Sequence, residues 1–470
     1  MKSQIFREYD IRGIIGEELK IEETYNLAKA IITYYKQQDP SLETIIIGKD
    51  GRHHSPLIQQ EIIKAATDSG INVIDIGLCP TPAFYFSLFT LPFPTGMIIT
   101  ASHNPKEYNG IKICQNKRPV WGKQIQEIGK ITQNQNFYKN PSVQKGTVKS
   151  YDILTDYINW LADHFKHLHN LSIKAIIDCG NGTAGTVFSK LIAKMNWSDV
   201  KLLFEKVEGD FPNHPPDPTN IKNMQDAAKE LKNNPDLKLG IGLDGDCDRM
   251  SPMTKTGYLV PGDQLLAIYS QKVLKDFAGA TIVFDIKASS SLIDLLRSWG
   301  AKDHICPSGH SLVKEAMLVN NAKLAGELSC HFFFNDRYFG YDDGIYATLR
   351  LIEILNETGK DLEELIKIFP NKHRSPEIRM SCSESNKKEI VTKVKNIFAA
   401  RKDLNMITID GIRAQGDYGW GLIRASNTQP VICLRFESDT KEGLQKIKTD
   451  FYQILKPYFK EKELKEQIEL

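Results

Sequence analysis

Short runs of apolar, β-branched residues alternate with longer amphipathic stretches through the first three quarters of the chain. The apolar runs predict buried strands that end in turn residues, and they lie at 43–52, 71–80, 95–105, 173–182, 199–209, 239–249, 281–290 and 323–334. Such alternation predicts β-α-β units around a mainly parallel sheet. Polar residues cluster where the runs stop. Because open α/β sheets bind ligands at the carboxyl ends of their strands, we expect functional residues there.

The length and the interruptions of this pattern predict several domains. A chain of 470 residues is too long for one ordinary core, so three or four domains are expected. The pattern is interrupted by Asn-rich, charged or Pro-rich stretches near 133–150, 211–219 and 371–380. We therefore predict four domains, at 1–145, 146–250, 251–369 and 370–470. The last carries amphipathic Lys/Glu helices around one Arg-flanked strand.

Composition narrows the class of protein without identifying it. Charged residues make up 25% and hydrophobic residues 41%, and Lys plus Arg (60) nearly balance Asp plus Glu (58). That balance gives no support for a nucleic-acid or acidic-membrane partner. The apolar runs are too short to span a membrane, and the N-terminus lacks the features of a signal peptide. Eight cysteines, scattered singly, suit reduced thiols, so we expect a cytoplasmic protein.

Three aspartates alternate directly after the apolar run in LGIGLDGDCDR. In an extended or turning backbone, this spacing sends Asp244, Asp246 and Asp248 toward one point. Three anions so close repel one another unless a cation lies among them, and such oxygen ligands suit Mg²⁺. An EF-hand would need Gly and Glu where this chain has Arg249 and Lys255. A polar turn is the alternative, but three aspartates in one turn would repel one another. We therefore predict a magnesium site.

A candidate nucleophile lies earlier in the chain. Ser102 follows the apolar run MIIT and precedes Asn104-Pro105, a pair that favours a turn. A serine hydroxyl is weak unless a base or a metal activates it, and no GxSxG elbow surrounds this one. A phosphate on Ser102 would need charge compensation, which Mg²⁺ and Lys112 could provide. Taken alone, the segment is more typical of an ordinary turn serine.

The segment GNGTAG at 180–185 indicates a different chemistry. Its three glycines follow an apolar run and fit a dinucleotide-binding fingerprint, with Glu205 near the place of a ribose-binding acid. Glycines at a strand-to-helix turn are also needed for close packing. The pattern alone leaves a nucleotide site and a tight turn open.

Two further segments carry groups suited to a sugar phosphate. Glu327, Ser329 and His331 alternate on one side of a predicted strand end, where their side chains could form hydrogen bonds with adjacent sugar hydroxyls. A half-exposed strand explains the alternation equally well. Lys287 and His310 each follow a short predicted strand, and neither residue taken alone indicates a function. One short loop contains Arg424, Ser426, Asn427 and Thr428. A guanidinium, hydroxyls and turn amides together suit a phosphate dianion. An ordinary Ser-Asn turn is the alternative.

Five segments occur in one order: FREYDIRG at 6–13, TASHNP at 100–105 with NGIKI behind it, DGDCDR at 244–249, GELSCH at 326–331 and RASNTQPVICLRFE at 424–437. Together they resemble the α-D-phosphohexomutase superfamily, specifically its phosphomannomutase/phosphoglucomutase branch. FPNHPPDPTN at 211–220 and DYGWGLIRASNT at 417–428 fit it as well. In that family a DCGNG segment is a structural turn, so the resemblance disfavours the nucleotide interpretation.

The resemblance implies a fold and a set of roles. It implies three similar α/β domains with mixed, mainly parallel sheets, and a C-terminal α+β domain like the TATA-box-binding protein, around a central cleft. Ser102 would carry the phosphate and would hold Mg²⁺ together with Asp244, Asp246 and Asp248. Lys112 and Arg249 would lie beside the transferring phosphoryl group. Glu327 and Ser329 would hold sugar hydroxyls, and the loop with Arg424, Ser426, Asn427 and Thr428 the non-reacting phosphate. Other cleft residues would be Tyr9, Arg12, Lys287, His310 and His331.

The implied activity is an isomerase that interconverts hexose 1-phosphate and hexose 6-phosphate, of mannose, glucose or both. It would use phosphoserine and a hexose 1,6-bisphosphate, and His310, His331 and Lys112 are candidate proton acceptors. Leu328 stands where glucosamine-specific relatives usually have Gln, which favours mannose and glucose, whereas Cys330 replaces a common Gly. A phosphoglucosamine mutase, a metal-dependent sugar phosphatase and a non-catalytic sensor remain alternatives. We expect sugar phosphates as partners and a monomer or weak homodimer.

Overall fold

The computed structural model describes residues 2–142, 144–426 and 429–470. The chain divides into two units. The first comprises Met1–Lys272 and Ser329–Ile366, and the second comprises Val273–Leu328 and Lys367–Leu470. Short 3-10 helices lie at Ser3–Ile5, Ile21–Glu23, Lys166–Leu168 and Ile366–Ile368.

The first unit begins with a mixed sheet and its helices. The elements are β1 (Ile11–Ile14), α1 (Thr24–Gln38), β2 (Thr44–Lys49), α2 (Ser55–Asp68), β3 (Asn72–Leu78), α3 (Thr81–Thr90), β4 (Gly96–Ile99), β5 (Tyr108–Gln115), β6 (Arg118–Pro119), α4 (Lys123–Asn134) and β7 (Val148–Ser150). The strand order is β1-β5-β4-β2-β3-β7, with β6 beside β5. β2 pairs in parallel with β3 and β4, whereas β5 is antiparallel to β1 and β4. The buried residues of β2 and β4 are all apolar, as expected for strands covered on both faces.

A second sheet follows in the same unit. Its elements are α5 (Ile153–His164), β8 (Ala175–Asp178), α6 (Gly185–Met195), β9 (Val200–Leu203), α7 (Gln225–Asn233), β10 (Leu239–Leu243) and β11 (Met250–Thr254). The following helix, α8 (Gly262–Asp276), begins in the first unit, and its residues from Val273 onward are assigned to the second. The order is β11-β10-β8-β9, parallel except for the antiparallel pair β10 and β11. The aspartate-rich segment 244–249 is therefore the loop of a hairpin.

Parallel strands continue in the second unit, and the chain then returns to the first. The second unit contains β12 (Thr281–Asp285), α9 (Ser290–Ser298), β13 (Lys302–Cys306), α10 (His310–Val319) and β14 (Leu324–Gly326), and the first contains β15 (Phe332–Phe334), α11 (Gly344–Thr358) and α12 (Leu362–Leu365). β12 pairs in parallel with β13 and with β14. This parallel pairing continues the pattern of the preceding sheets.

The remainder of the second unit is an antiparallel sheet with helices. Its elements are β16 (His373–Arg374), β17 (Ile378–Ser381), α13 (Glu384–Ala399), β18 (Asn405–Ile407), β19 (Ile412–Gly416), β20 (Gly419–Ala425), β21 (Val431–Ser438), α14 (Lys441–Leu455) and α15 (Glu461–Ile468). The order is β16-β21-β20-β19-β18, with β17 beside β21. The segment 424–437, predicted as one Arg-flanked strand, instead includes the end of β20 and most of β21. The prediction of α/β domains followed by an α+β domain is confirmed.

Helix starts follow from side-chain caps that the sequence supplies. Asp152, Asp343 and Ser383 accept hydrogen bonds from backbone amides in the first turns of α5, α11 and α13. Asp361 and Glu364 form a reciprocal capping box on α12. Each cap satisfies an amide that has no partner within its own helix. In the described part of the chain, no helix is long and apolar enough to cross a membrane.

The glycine-rich turn after β8 is explained by close packing. A Cβ on Gly185 would lie 1.9 Å from the carbonyl oxygen of Glu205, the residue near the expected place of a ribose-binding acid. Real Cβ atoms do not approach a backbone oxygen so closely. Position 185 thus needs glycine for close packing, which favours the structural interpretation of GNGTAG.

We expect Gly185→Ala to destabilise the first unit by about 1–3 kcal/mol, because the backbone must shift to accept the methyl group. Thermal unfolding of the variant, compared with Ala184→Gly at the neighbouring position, would measure the loss. A melting temperature unchanged in Gly185→Ala would contradict the packing explanation.

Candidate active site

Ser102 lies in the turn after β4, and its side chain is buried. Its backbone φ is +49°, in the left-handed region that few non-glycine residues adopt. Oγ donates a hydrogen bond to Asp244 Oδ2 at 2.6 Å, and His103 Nδ1 lies 3.1 Å from the same Oγ. The Ser102 amide donates to Thr100 Oγ1 at 3.0 Å. The turn therefore presents the hydroxyl to a carboxylate and an imidazole.

The three aspartates converge in the loop between β10 and β11. Asp244, Asp246 and Asp248 are buried, and one oxygen of each lies within 4.8 Å of the others. Gly245 allows the serine turn to approach, since a Cβ there would lie 2.7 Å from the Ser102 carbonyl oxygen. The structure thus brings the predicted nucleophile and the predicted metal ligands together.

Asp246 is oriented by groups on β5, at the start of α3 and directly after β4. Its Oδ2 accepts hydrogen bonds from Thr81 Oγ1 at 2.6 Å, Thr100 Oγ1 at 3.1 Å and Lys112 Nζ at 2.9 Å. Its backbone carbonyl accepts from the Thr81 amide at 2.9 Å. Among the described residues, Asp246 Oδ1 is buried and receives no hydrogen bond. This oxygen is open to a further ligand.

Lys112 is the cation within this acidic group. It lies on β5, its side chain is 3% exposed, and Nζ contacts Asp248 Oδ2 as well as Asp246. Burial alone would lower the pKa of Lys112, but Asp246, Asp248 and Asp342 raise it well above its ordinary value. Lys112 therefore holds its proton at neutral pH.

The carboxylates outnumber that cation. Burial raises the pKa of Asp244, and the charges of Asp248 and Asp246 raise it further. Burial also acts to raise the pKa of Asp248, but Lys112 and His331 hold it well below its ordinary value. All three carboxylates are buried, and among the described residues Asp246 Oδ1 and Asp248 Oδ1 receive no hydrogen bond. Such a donor set fits a hard divalent cation.

His331 lies beside the aspartates. Its Nε2 is 3.3 Å from Asp248 Oδ1 and 3.3 Å from Arg249 Nε, and its Nδ1 is 3.2 Å from Ser329 Oγ. Nε2 can accept a hydrogen bond from Arg249 only without a proton, and can donate to Asp248 only with one. The position therefore suits an imidazole that takes up and releases a proton. The Arg249 amide also donates to Asp244 Oδ1 at 3.1 Å.

Arg12 and Tyr9 lie at the start of the first sheet. Arg12 Nη1 donates to Asn104 Oδ1 at 2.6 Å, within the turn that carries Ser102, and Nη2 contacts Asp10 Oδ2. Tyr9 is buried just ahead of β1. The predicted residues of the first unit are thus grouped around the serine turn and the aspartate loop. For Tyr9, the support is only its position in the chain, three residues before Arg12.

In the second unit, Lys287 is held between two acids. Its Nζ lies 3.4 Å from Asp285 Oδ2 and 3.2 Å from Glu377 Oε2. Burial alone would lower the pKa of Lys287, but Glu377 and Asp285 raise it above its ordinary value. Burial would raise the pKa of Glu377, but Lys287, Arg379 and Arg424 lower it to about 2.

The remaining predicted residues of this unit are linked through short hydrogen bonds. Glu327 Oε1 accepts from the Gly309 amide at 2.8 Å, directly before His310. Asp410 Oδ2 accepts from the Ser308 amide at 3.1 Å and from Arg424 Nε at 2.7 Å. Asp410 therefore ties Arg424 to the turn that begins α10.

The loop after β20 is only partly described. Lys387 Nζ donates to the carbonyls of Ser426 at 2.7 Å and Gln429 at 3.2 Å, which fixes the two sides of this loop. Asn427 and Thr428, predicted to bind phosphate, lie outside the described residues.

We expect Glu377→Gln to lower the free energy of unfolding of the second unit by about 3 kcal/mol at pH 7. The reason is that folding lowers the pKa of the Glu377 carboxyl from its ordinary value to about 2, and the substitution removes this stabilisation. The folded-state pKa is depressed, so the stabilisation is present above the unfolded pKa of about 4 and is lost as pH falls toward about 2. Urea unfolding at pH 7 and pH 3 would measure it. The exposed Glu389, paired with Lys393, provides the control, and Glu389→Gln should cost less than about 0.5 kcal/mol. Equal costs at both pH values for Glu377→Gln would contradict this prediction.

The strand-end prediction for GELSCH is wrong in its geometry. Residues 327–331 form the turn between β14 and β15, and Cys330 has φ +65°, so the extended alternation does not exist. Glu327 belongs to the second unit, whereas Ser329 and His331 belong to the first. Sequence periodicity could not reveal a left-handed residue where the chain carries cysteine instead of glycine.

Several supporting residues escaped the sequence analysis. They share short polar contacts with the predicted ones, and they are Arg52, Thr81, Thr100, His103, Asn104, Asp285, Glu377, Lys387 and Asp410. Many of them could have been found from their position relative to the predicted strands. Polar residues at or just after the carboxyl ends of strands include Arg52, Thr81, Thr100 and Asp285.

Comparison with known proteins gives a consistent result along the chain. The phosphoglucomutase/phosphomannomutase family descriptions match as alpha/beta/alpha domain I at residues 3–139, domain II at 155–257, domain III at 261–373 and C-terminal domain at 377–454. A phosphomannomutase/phosphoglucomutase of Pseudomonas syringae pv. tomato is 39% identical over 453 residues, 96% of this chain and 95% of that protein. A phosphoglucomutase of Neisseria meningitidis serogroup A is 36% identical over 452 residues, 96% of each chain.

A solved structure agrees with these matches. The crystal structure of a phosphoglucomutase/phosphomannomutase family protein from Burkholderia thailandensis has a TM-score of 0.88 and 32% identity, over 97% of this chain and 98% of that one. The domain series and the serine turned toward buried carboxylates define a protein of the α-D-phosphohexomutase class. Within that class, the chain belongs to the phosphoglucomutase/phosphomannomutase family.

Proposed function

We propose that this protein is a phosphohexomutase that interconverts hexose 1-phosphate and hexose 6-phosphate, of mannose, glucose or both. The observation that carries the proposal is the hydrogen bond of 2.6 Å from buried Ser102 Oγ to Asp244, among three carboxylates and Lys112. Relatives named phosphomannomutase/phosphoglucomutase and phosphoglucomutase support the substrate class.

In the proposed reaction, phosphorylated Ser102 donates its phosphoryl group to the free hydroxyl of the sugar phosphate. The bond between phosphorus and the Ser102 oxygen breaks, and a bond from phosphorus to the sugar oxygen forms. A base takes the proton of the sugar hydroxyl and passes it to the released Ser102 oxygen. The product is a hexose 1,6-bisphosphate, which turns around and returns its other phosphoryl group to Ser102. In this return step the bond from phosphorus to the other sugar oxygen breaks and a bond to the Ser102 oxygen forms. The proton of the Ser102 hydroxyl passes through the base to the released sugar oxygen, so the phosphorylated enzyme is regenerated.

We assign charge stabilisation to Lys112 and proton transfer to His331. Lys112 keeps its proton because its pKa is raised, so it is suited to stabilising the transferring phosphoryl group. His331 Nε2 lies between Arg249 Nε and Asp248 Oδ1, where both protonation states find a partner. His310, beside Glu327 in the second unit, is the alternative base.

Recognition is assigned to the other predicted residues. Glu327 and Ser329 would bind sugar hydroxyls, and Tyr9, Arg12 and Lys287 would contact substrate. Arg424 and Ser426, with Asn427 and Thr428, would bind the phosphate that is not reacting, since a guanidinium with hydroxyls suits a dianion. A loop that recognises only a phosphate can serve both orientations of the bisphosphate.

Mg²⁺ is the cation that we propose for the aspartate loop. Asp244, Asp246 and Asp248, with the seryl phosphate, would hold it, and it would neutralise charge on the phosphoryl group. A hexose 1,6-bisphosphate would act as activator by phosphorylating Ser102. We further propose a cytoplasmic monomer or weak homodimer, consistent with cysteines that are all free thiols in the described chain.

Phosphorus NMR on the purified protein tests the function. The protein would be incubated with Mg²⁺, a trace of glucose 1,6-bisphosphate and, separately, mannose, glucose or glucosamine 1-phosphate. We expect 6-phosphates from mannose or glucose 1-phosphate without free phosphate, and no turnover after chelation of the metal. Release of free phosphate alone would indicate a sugar phosphatase. Preference for glucosamine 1-phosphate would indicate a phosphoglucosamine mutase, and no change in any substrate would indicate a non-catalytic sensor.

A further inference from the structure

A buried guanidinium contacts the backbone of the turn that carries Ser102 at several points. Arg52 Nη2 donates hydrogen bonds to the carbonyls of Ser102 at 2.9 Å and Asn104 at 2.6 Å. Arg52 Nη1 donates to the carbonyls of Pro105 at 2.7 Å and Tyr108 at 3.1 Å. A single side chain therefore links both ends of the turn.

Arg52 is itself fixed on two sides. Its Nε lies 3.2 Å from Asp50 Oδ2, and Asp50 Oδ1 accepts hydrogen bonds from the Arg52 amide at 3.0 Å and from Ser55 Oγ at 2.6 Å. The Phe211 ring lies against the guanidinium, with its centroid 5.0 Å away, and Arg52 is 1% exposed. Phe211 begins the segment FPNHPPDPTN, to which the proposed chemistry gives no role.

The turn needs such support because of its backbone conformation. Ser102 has φ +49°, a conformation that persists in a non-glycine residue only where the surroundings enforce it. The planar guanidinium presents several donors in a rigid fork, so it can meet carbonyls on both sides of the turn at once. An ammonium on a flexible stem cannot reproduce that set of contacts.

We propose that Arg52 is a positioning residue for phosphoryl transfer, which holds the turn so that Ser102 Oγ stays beside Asp244. The proposal rests on the proposed mutase function. Phosphoryl transfer depends mainly on positioning, and a displacement of about 1 Å can cost about 100-fold in rate. The competing explanation is that Arg52 stabilises the fold and has no particular effect on the reaction.

Arg52→Lys separates the two explanations. It keeps the buried charge beside Asp50 but loses most of the carbonyl contacts. We expect kcat for glucose 1-phosphate to fall about 100-fold with KM within about threefold, because substrate binding is untouched. Hydrogen exchange should rise in peptides that cover residues 100–110 and remain unchanged in those from α11.

Arg350→Lys is the matched control. Arg350 is also 1% exposed and pairs with Asp336 at 2.8 Å, so this variant loses similar buried contacts. We expect it to lower the melting temperature with kcat within about twofold of wild type. A folded Arg52→Lys enzyme with wild-type kcat, or an equal loss of kcat in Arg350→Lys, would overturn the proposal.

Two further results keep the test decisive. If Arg52→Lys does not fold, Phe211→Leu replaces the ring that covers the guanidinium, and we expect kcat to fall about 5- to 10-fold. Unchanged turnover in that variant would then count against the role of Arg52. If wild type forms no 6-phosphate, the proposed function fails, whereas the exchange comparison at 100–110 still decides whether Arg52 holds the turn.

Discussion

Ser102→Ala is expected to abolish mutase turnover, with a loss of about 10⁴-fold or more, because removing a nucleophile removes the covalent route. The hydroxyl is buried and donates to Asp244 Oδ2 at 2.6 Å, which holds it at the acidic loop. The NMR assay with glucose 1-phosphate and a trace of bisphosphate measures turnover. Intact-protein mass spectrometry should find wild type, and not the variant, carrying one phosphoryl group.

Ser270→Ala is the matched control for loss of a buried serine hydroxyl. Ser270 lies on α8, and its Oγ donates to the Leu266 carbonyl at 2.7 Å. We expect it to lose about 1 kcal/mol of stability and to keep its kcat. Turnover by Ser102→Ala at the wild-type rate would refute the phosphoserine mechanism, even if mutase activity itself is established.

Lys112→Met is expected to reduce both stability and turnover by large amounts. The substitution leaves Asp244, Asp246 and Asp248 buried without the cation that contacts two of them, at a cost of about 3–5 kcal/mol near neutral pH. Turnover should fall about 100- to 1,000-fold, because charge on the transferring phosphoryl group loses its donor. Urea unfolding without divalent cations and the NMR assay measure the two effects.

The pH dependence of this loss has a defined sign. Lys112 helps to hold the pKa of Asp248 well below its ordinary value, a stabilisation that is present above the unfolded pKa of about 4 and is lost as pH falls. Without Lys112, the buried carboxylates resist ionisation, so the destabilisation of the variant should shrink as pH falls from 7 toward about 4. Added Mg²⁺ should restore part of the stability by binding the folded state, but not the turnover.

Lys255→Met is the control for removal of a paired lysine. Lys255 is 41% exposed and lies 2.6 Å from Asp361, so its loss should cost less than about 1 kcal/mol and leave turnover intact. A Lys112→Met protein as stable as wild type in the absence of divalent cations would show that the aspartate loop is not held by this charge.

Local sequence order predicted those parts of the site that depend on one short segment. The strand before Ser102, the strand before Asp244 and the positions of both residues at strand carboxyl ends follow from apolar runs that stop at polar residues. Spacing of i, i+2 and i+4 was enough to predict that the aspartates converge. Periodicity failed at residues 327–331, because Cys330 adopts a left-handed conformation and turns the chain.

By itself, then, the sequence determined the succession of α/β and α+β domains, the serine turn and the acidic loop, because these depend on local patterns of polarity. The tertiary structure alone decided which distant residues support them. Two helices and two strands separate Arg52 from Ser102 in the chain, and Thr81 at the start of α3 is 165 residues from Asp246 in the loop after β10, yet all meet at the same buried turn. Such contacts follow from the pairing of strands far apart in the chain and from the burial of charge, which no local pattern records.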